Sequence, residues 1–518
     1  MRVRIIVHVL AVLSLAVAVG IGLAALVAFA YDGTDLIPLA VGAGIPAVLG
    51  ASALFATRGA SGSELGVKEG FAIVAFGWLL ACIYGALPYA LYPRLGNVGA
   101  CQDATLAGAE FCDFTNCLYE STSGFTTTGA SILTHGLWET PEGPSLIAER
   151  SPHALLLPHG IQFWRALTHW YGGMGIVVLG LAILPYLGIG GMQLYRAEVP
   201  GPQSDKLVPR LADTAKILWL VYVGLSVAET LLLMWPGGLD WFNAVTHSFA
   251  TLATGGFSTL ADSVGGFKNA VVETIIIVFM FLAGVNFTLH FLAVRGHFGV
   301  FRRDSEFKAY AGGAFVLIVL VALILRAQPD GPGNLDALRW SAFQVLSIAT
   351  TTGFATQDFA LWAPSAKYVL LLLMFVGGCA GSTGGGPKVV RILTIGKVAF
   401  REIVRVIHPK AVLKVRLNHR PVDESVLSAM VGFMLFFMAL FAVSSLVLTL
   451  LGLDILSATT AVAANIGNVG PGLGTVGPAA NYNHIPMLGK WLLTFLMLVG
   501  RLEVFTILVL FSRSFWRR

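Results

Sequence analysis

"GFTTTGAS", residues 124–131, sets three adjacent threonines and a glycine directly after a short amphipathic segment in a strongly apolar chain. The same kind of stretch returns three times, as "LATGGFS" at 252–258, "TTTGFAT" at 350–356 and "NIGNVGPG" at 465–472. Each sits at the centre of a unit with one order of parts: a spanning apolar run, a half-length segment, the glycine loop and a second spanning run. The units cover 68–187, 213–298, 308–404 and 425–512. A recurrence of about a hundred residues is too long for a solenoid and suits one transmembrane module per unit. A single Gly/Thr loop says little, since small residues are common at helix contacts. Four at equivalent places need another reason.

Of the 518 residues, 56% are hydrophobic and 12% charged, and the mean hydropathy is +0.78. Soluble domains carry about a quarter charged residues, and runs of roughly twenty apolar residues cross a bilayer core. The prediction is an all-α polytopic membrane protein, because the alternating pattern of a strand barrel is absent. The net charge of +5 does not indicate nucleic acid, as the basic residues cluster where a membrane places them. The first thirty residues start basic and end in Ala28-Phe29-Ala30, like a cleavable leader. Their apolar run exceeds the roughly 7–15 residues of a signal core, so a retained helix is expected.

The domain organisation read from these runs is 1–60, a two-helix N-terminal domain, followed by pore repeats at 66–190, 210–300, 306–405 and 422–518. Cys82 and Cys379 lie in apolar segments and read as buried small residues. Cys101, Cys112 and Cys117 share a polar loop, where a bond from Cys101 to Cys112 or to Cys117 fits an oxidising face. No metal-ligand spacing with histidine stands out; His153, His159 and His169 read as loop or interface residues. Trp164, Trp170, Tyr171 and Trp362 fit an interfacial aromatic belt.

Lysine and arginine give the orientation. Counting every full span from Arg2 and Arg4, the alternate loops hold Arg58 and Lys68, then Arg196, Lys206 and Arg210, then Arg295, Arg302, Arg303 and Lys308. The segment 388–420 is the most basic, and Arg513, Arg517 and Arg518 close the chain. This positive-inside bias places both termini in the cytoplasm and all four glycine loops near the outer side.

Irregular backbone inside a membrane is tolerated only where it is buried or lines a water-filled path. Glycine reaches the angles that turn successive carbonyls to one side, and stacked carbonyl rings can replace the hydration shell of a monovalent cation. The carboxyl ends of the short helices add partial negative charge. Aligned on one glycine each, the loops bring Gly129, Gly255, Gly353 and Gly467 into register. Asp113 and Glu120 beside the first loop fit an outer vestibule that attracts cations.

Two further features lie elsewhere. "GGCAGSTGGGPKVV" (377–390) interrupts the last helix of the third unit. It fails as a phosphate loop, since Gly386-Pro387-Lys388-Val389 stands where Gly-Lys-Ser/Thr is needed, and such a glycine density cannot hold a helix. Arg501 lies inside the final span, where a charge is costly and faces a cavity or a partner such as Glu503. An inverted-repeat transporter would have repeats of opposite orientation, but these run parallel. No Ser/His/Asp or His-x-x-x-His arrangement indicates an enzyme.

The chain resembles the superfamily of potassium transporters, and within it the TrkH type. The resemblance rests on "KEGF" (68–71), "SGFTTTGAS" (123–131), "HWYGGMGI" (169–176), "GIGGMQLYRAEVPGP" (188–202), "HSFATLATGGFST" (247–259), "SIATTTGFAT" (347–356), "GGCAGSTGGGPKVVR" (377–391), "GNVGPGLG" (467–474) and "GRLE" (500–503). The two extra N-terminal helices set it apart from the shorter KtrB relatives. The resemblance implies four parallel helix–pore helix–helix repeats with pseudo-four-fold symmetry around a central pore, in a bacterial cytoplasmic (inner) membrane. It implies gated potassium uptake, the alternative being a sodium-dependent KtrB-like or sodium-permeable potassium transporter.

K+ would be the transported ion, with no organic cofactor in this chain. It would bind backbone carbonyls of Thr127, Thr128 and Gly129; Ala253, Thr254 and Gly255; Thr351, Thr352 and Gly353; and Asn465, Ile466 and Gly467. The second glycine of a four-fold potassium channel filter would fall on Ser131, Phe257, Ala355 and Val469, so weaker rejection of sodium is expected. A gating loop of Gly377, Gly378, Gly381, Ser382, Thr383, Gly384, Gly385, Gly386 and Lys388 would block the path below, and Arg501 would reach into it as a barrier. The implied partners are a second copy, giving a homodimer, and a TrkA-like cytosolic regulatory ring that binds NAD(H) or ATP. The basic run 397–420 would meet that ring or the headgroups of membrane lipids.

Overall fold

The computed structural model describes residues 2–516 apart from 32, 60–65, 104–105, 135–156, 176–210, 330, 412 and 419. The chain opens with α1 (Val3–Ala30), α2 (Leu36–Ala56) and α3 (Val67–Leu91). Then come α4 (Phe114–Phe125) and α5 (His159–Gly173), followed by α6 (Leu211–Met234), α7 (Trp241–Leu252), α8 (Ala270–Ala283) and α9 (Phe287–Val294). The next set is α10 (Ser305–Arg326), α11 (Asn334–Ala349), α12 (Pro364–Leu373) and α13 (Val389–Ile407). The last is α14 (Glu424–Leu450), α15 (Ile455–Ile466) and α16 (Met487–Arg501). A two-residue β pairing, Arg416–Leu417 with Arg420–Pro421, joins α13 to α14.

Among the described residues six helices are long and apolar enough to cross a membrane: α1, α2, the α3 region, α6, α10 and α14. The bent pair α8–α9, turned by 101°, would make a seventh. In each of the four sets the first long helix is continuous, and in the last three the helix after the glycine loop is broken. α5 ends before Gly175, which is left-handed at φ 66°. α8 and α9 part at Gly284–Asn286, and α12 and α13 are separated by 374–388. α16 ends at Arg501, followed by left-handed Glu503 and Val504. Continuous second spans were expected in the second and fourth of these sets; the one expected over 160–187 in the first runs into 176–187, outside the described residues. Arg501 therefore stands at a helix end, at the break in the last set. Arg196, Lys206, Arg210 and His153 lie outside the described residues.

The half-length helices α4, α7 and α15 begin alike. Asp113, Asp240 and Asp454 accept hydrogen bonds from first-turn N–H groups of Thr115, of Phe242 and Asn243, and of Ser457. An aspartate there satisfies orphan donors and complements the helix dipole. Ser457, through its side chain and its N–H, holds the Asp454 carboxyl below the usual carboxylate range. α11 starts after Gly333 and is 16 residues long where the others have 12.

The expected aromatic belt is not formed by the residues named for it. α1 and α2 pack against α5, so the face of α5 that would meet lipid is covered. Trp164 is buried and donates from its indole N–H to Gly85 O at 3.0 Å. Tyr171 fills the space left by Gly20, where a Cβ would come within 2.6 Å of its ring. Trp170 donates to Ser226 Oγ at 3.1 Å, and Trp362 is buried in the core of α10–α12. Cys101 is bonded to Cys112, and Cys117 is a buried free thiol.

Candidate functional site

The four glycine loops share one backbone signature. Two left-handed residues occur two positions apart in each: Thr127 and Gly129, Thr254 and Gly256, Thr351 and Gly353, Asn468 and Gly470. The preceding helix ends four residues before the glycine every time, at Phe125, Leu252, Ala349 and Ile466. Alternating left-handed residues turn successive peptide oxygens to the same side, and for the threonines and the asparagine that conformation carries a steric cost.

The loops also touch one another in a closed circuit. A Cβ on Gly129 would overlap the carbonyl oxygen of Gly255; on Gly256, that of Thr352; on Gly353, that of Val469; and on Gly470, that of Thr128. Each oxygen belongs to the residue just before the next loop's left-handed glycine. The carbonyls of Thr128, Gly255, Thr352 and Val469 therefore form one layer around a common centre. Above them Gly129, Gly256, Gly353 and Gly470 all line one cavity of about 200 Å³.

This geometry corrects two of the four expected registers. In the second loop, Ala253 is the helical cap, and its carbonyl accepts from Thr254 Oγ1 at 2.6 Å. The equivalent residues are Thr254, Gly255 and Gly256, one position later than expected. In the fourth loop, Asn465 and Ile466 form the last turn of α15 and Gly467 caps it at φ −82°. Asn465 O accepts from Asn468 N at 3.3 Å, Ile466 O faces Gly500, and Gly467 O faces Gly385. The equivalents are Asn468, Val469 and Gly470, three positions later. The second-glycine positions become Ser131, Ser258, Ala355 and Gly472.

The misleading glycines have a different physical cause. Gly255 makes room for His169, whose ring a Cβ would strike. His169 is buried, donates from Nδ1 to Gly124 O at 2.8 Å and accepts from Phe257 N at Nε2. It braces the first and second loops and is not the peripheral residue expected. Gly467 is small because a Cβ would come within 2.8 Å of Ala463 O and 2.9 Å of Met374 O. Asn468 was also missed. Its amide donates to Thr128 Oγ1 at 3.0 Å and Met497 O at 2.9 Å, tying the fourth loop to the first.

Glu120 does not serve as a free vestibule charge. It is fully buried, pairs with Arg165 at 2.8 Å, and accepts from Ser131 Oγ and Ile132 N at 3.0 Å each. Arg165 lies over the Phe257 ring at 4.2 Å and lines the cavity. Removing one member of a buried pair strands the other charge, so Glu120→Gln should destabilise the protein by about 3–5 kcal/mol, read as a lower thermal midpoint in detergent. Parent-like stability combined with poorer uptake at low K+ would restore the attractor role.

Below the carbonyl layer lies the 377–388 loop, left-handed at Gly377, Gly381 and Gly386. Gly385 N donates to Thr351 Oγ1 at 2.7 Å, so the loop is bonded directly to the third glycine stretch. Cys379 N donates to Gly284 O at 2.9 Å, and Gly381 O accepts from Phe287 N at 3.0 Å. Lys388 is buried and folds back to Gly384 O at 2.5 Å. Arg501 spans the space beside it, donating to Thr383 O at 2.8 Å and to Gly172 O and Gly173 O at 2.5 and 3.1 Å. Glu503, the nearby acid named as a partner for Arg501, pairs with Arg391.

Residues 51–518 match the family model TrkH, described as a cation transport protein. The chain is 44% identical over 456 residues to the Trk system potassium uptake protein TrkH of Escherichia coli K12, covering 88% of this chain and 87% of that one. It is 40% identical over 461 residues to the TrkH of Halomonas elongata, again covering 88% and 87%. The crystal structure of the potassium transporter TrkH from Vibrio parahaemolyticus superposes over the full length of both chains, with a TM-score of 0.83 and 35% identity.

Proposed function

Because this chain belongs to the TrkH family of cation transport proteins, we propose that it takes up potassium through a gated single-file pore. Four parallel helix–pore helix–helix repeats surround that pore with pseudo-four-fold symmetry, and α1 and α2 stand outside them. The observation that carries the reading is the closed circuit of glycine-to-carbonyl contacts beneath one cavity. A K+ ion there exchanges its water for peptide oxygens. The oxygens come from Thr127, Thr128 and Gly129; Thr254, Gly255 and Gly256; Thr351, Thr352 and Gly353; and Asn468, Val469 and Gly470. The carboxyl ends of α4, α7, α11 and α15 point to the same region and favour a cation.

Selectivity is expected to be moderate. Three of the four second positions, Ser131, Ser258 and Ala355, lack glycine, and Tyr482 Oη already donates to Gly470 O at 2.7 Å. Fewer complete carbonyl layers should reject sodium less strictly. Reversal potentials in mixed potassium and sodium measure this, and a preference as strict as that of a two-glycine channel would refute it. A current that requires sodium would instead favour the sodium-dependent reading.

The 377–388 loop closes the path below the filter, Lys388 holds the loop's own turn, and Arg501 adds a positive barrier. Both termini lie in the cytoplasm of a bacterial inner-membrane homodimer, and a TrkA-like nucleotide-binding ring meets the basic cytosolic face. The decisive experiment is potassium uptake by this chain in a transport-deficient cell. No uptake by correctly inserted protein, with and without such a ring, would overturn the assignment.

A further inference from the structure

Glu306 lies in the first turn of α10, far in sequence from the 377–388 loop, and it is buried. One of its carboxylate oxygens, Oε1, accepts two backbone N–H groups, from Ala380 at 2.7 Å and from Val390 at 3.0 Å. Ala380 lies near the start of the loop. Val390 belongs to the first turn of α13, where N–H groups have no partner within their own helix. One oxygen thus pins both sides of the segment 381–389. Two N–H groups sharing one buried oxygen are costly to leave unpaired, so the contact holds the segment firmly.

The mounting of Glu306 leads outward to an exposed element. Asp304 caps α10, accepting from Phe307 N at 2.7 Å. Asn418, in the turn of the 416–421 hairpin, accepts from Ser305 N at 2.7 Å and Ser305 Oγ at 2.6 Å, and donates to Asp304 Oδ2 at 2.9 Å. Lys397 on α13 donates to Arg416 O at 2.8 Å, so the hairpin also holds α13. The hairpin is therefore bonded to both helices whose relative position the Glu306 carboxylate fixes.

We propose that Glu306 is the positioning residue that latches the 377–388 loop closed, with Asn418 setting the latch from the hairpin. The proposal rests on the reading of that loop as the gate. Swinging the loop requires at least one of the two bonds to Glu306 to break. A displacement of the hairpin relative to α10 would strain both. Neither residue contacts the carbonyl layer.

The test is potassium flux into proteoliposomes holding the full-length protein without any cytosolic subunit. The parent is compared with Glu306→Gln, Asn418→Ala and a variant lacking Gly381–Gly385. Glu306→Gln keeps the shape but leaves a single amide oxygen in place of the carboxyl; it should raise maximal flux about five- to tenfold, the equivalent of one weakened hydrogen bond. The potassium concentration at half-maximal flux should stay at the parent value, since the filter is untouched. A purely structural defect would lower flux instead. Asn418→Ala should shift flux in the same direction by a smaller factor, and it decides the matter if Glu306→Gln is not recovered in folded form. Raised flux on loop deletion with parent-like or lower flux in Glu306→Gln overturns the latch and leaves the gate. Unchanged flux on loop deletion overturns the gate itself, and the latch with it.

Discussion

Gly353→Ala is expected to abolish potassium uptake while the protein still reaches the membrane. Gly353 sits at φ 82°, and an added Cβ would overlap Val469 O in the neighbouring loop. The left-handed backbone alone costs about 1–2 kcal/mol for a residue with a side chain. The overlap cannot be relieved by a rotamer change, because the obstructing atom is backbone and belongs to the carbonyl layer. Relief must come from pushing that oxygen, or the whole third loop, off the ion's path. Each 1.4 kcal/mol lost in ion coordination is tenfold, so uptake should fall by roughly a hundredfold or more. Gly256→Ala and Gly470→Ala should behave alike, since each would meet a carbonyl of the next loop. Gly313→Ala, in open space on α10, is the control. Uptake rates normalised to membrane protein decide the matter, and near-parent uptake by Gly353→Ala would remove the filter from that loop.

Arg501→Ala should have the opposite sign. The guanidinium bridges Thr383 in the 377–388 loop to Gly172 and Gly173 at the end of α5. Its loss removes a positive charge from beside the path and frees the loop on one side. Both effects raise maximal flux, by about tenfold if together they lower the barrier by the 1.4 kcal/mol that a decade represents. The thermal midpoint should fall as well, since three carbonyls lose a charged donor at a typical 1.5–3 kcal/mol per bond. Arg501→Lys separates the two contributions, because lysine keeps the charge and lacks the planar fork. Low flux in the lysine variant assigns the barrier to charge; high flux assigns it to the bridge. Unchanged flux in a normally expressed alanine variant would mean that Arg501 is only a brace.

The helices were largely legible because their apolar runs are long and their loops rich in glycine. The register of the glycine loops was only half legible. Two adjacent glycines at 255 and 256, and three at 467, 470 and 472, offer competing alignments, and composition cannot tell a glycine needed for φ from one needed for space. Spacing could have done so. Asp113 to Gly129, Asp240 to Gly256 and Asp454 to Gly470 are each separated by sixteen positions. The third loop lacks this ruler, since α11 is longer and starts after glycine. The break after α16 was hidden for another reason: its left-handed residues are Glu503 and Val504, which local propensity does not mark. The burial of Tyr171 depends on α1 lying across α5, and that of Trp164 on Gly85 of α3 and Phe125 of α4, tertiary facts that no window along α5 contains.

The closed circuit of loops has a genetic consequence. All its quadrants are encoded in one polypeptide, so a single codon changes one oxygen per layer, where in a homotetramer it would change every one. Substitutions at Ser131, Ser258 and Ala355 can thus be combined in any number. On the proposed reading of the circuit as the ion filter, discrimination among alkali metals becomes tunable in steps, one side of the ion at a time.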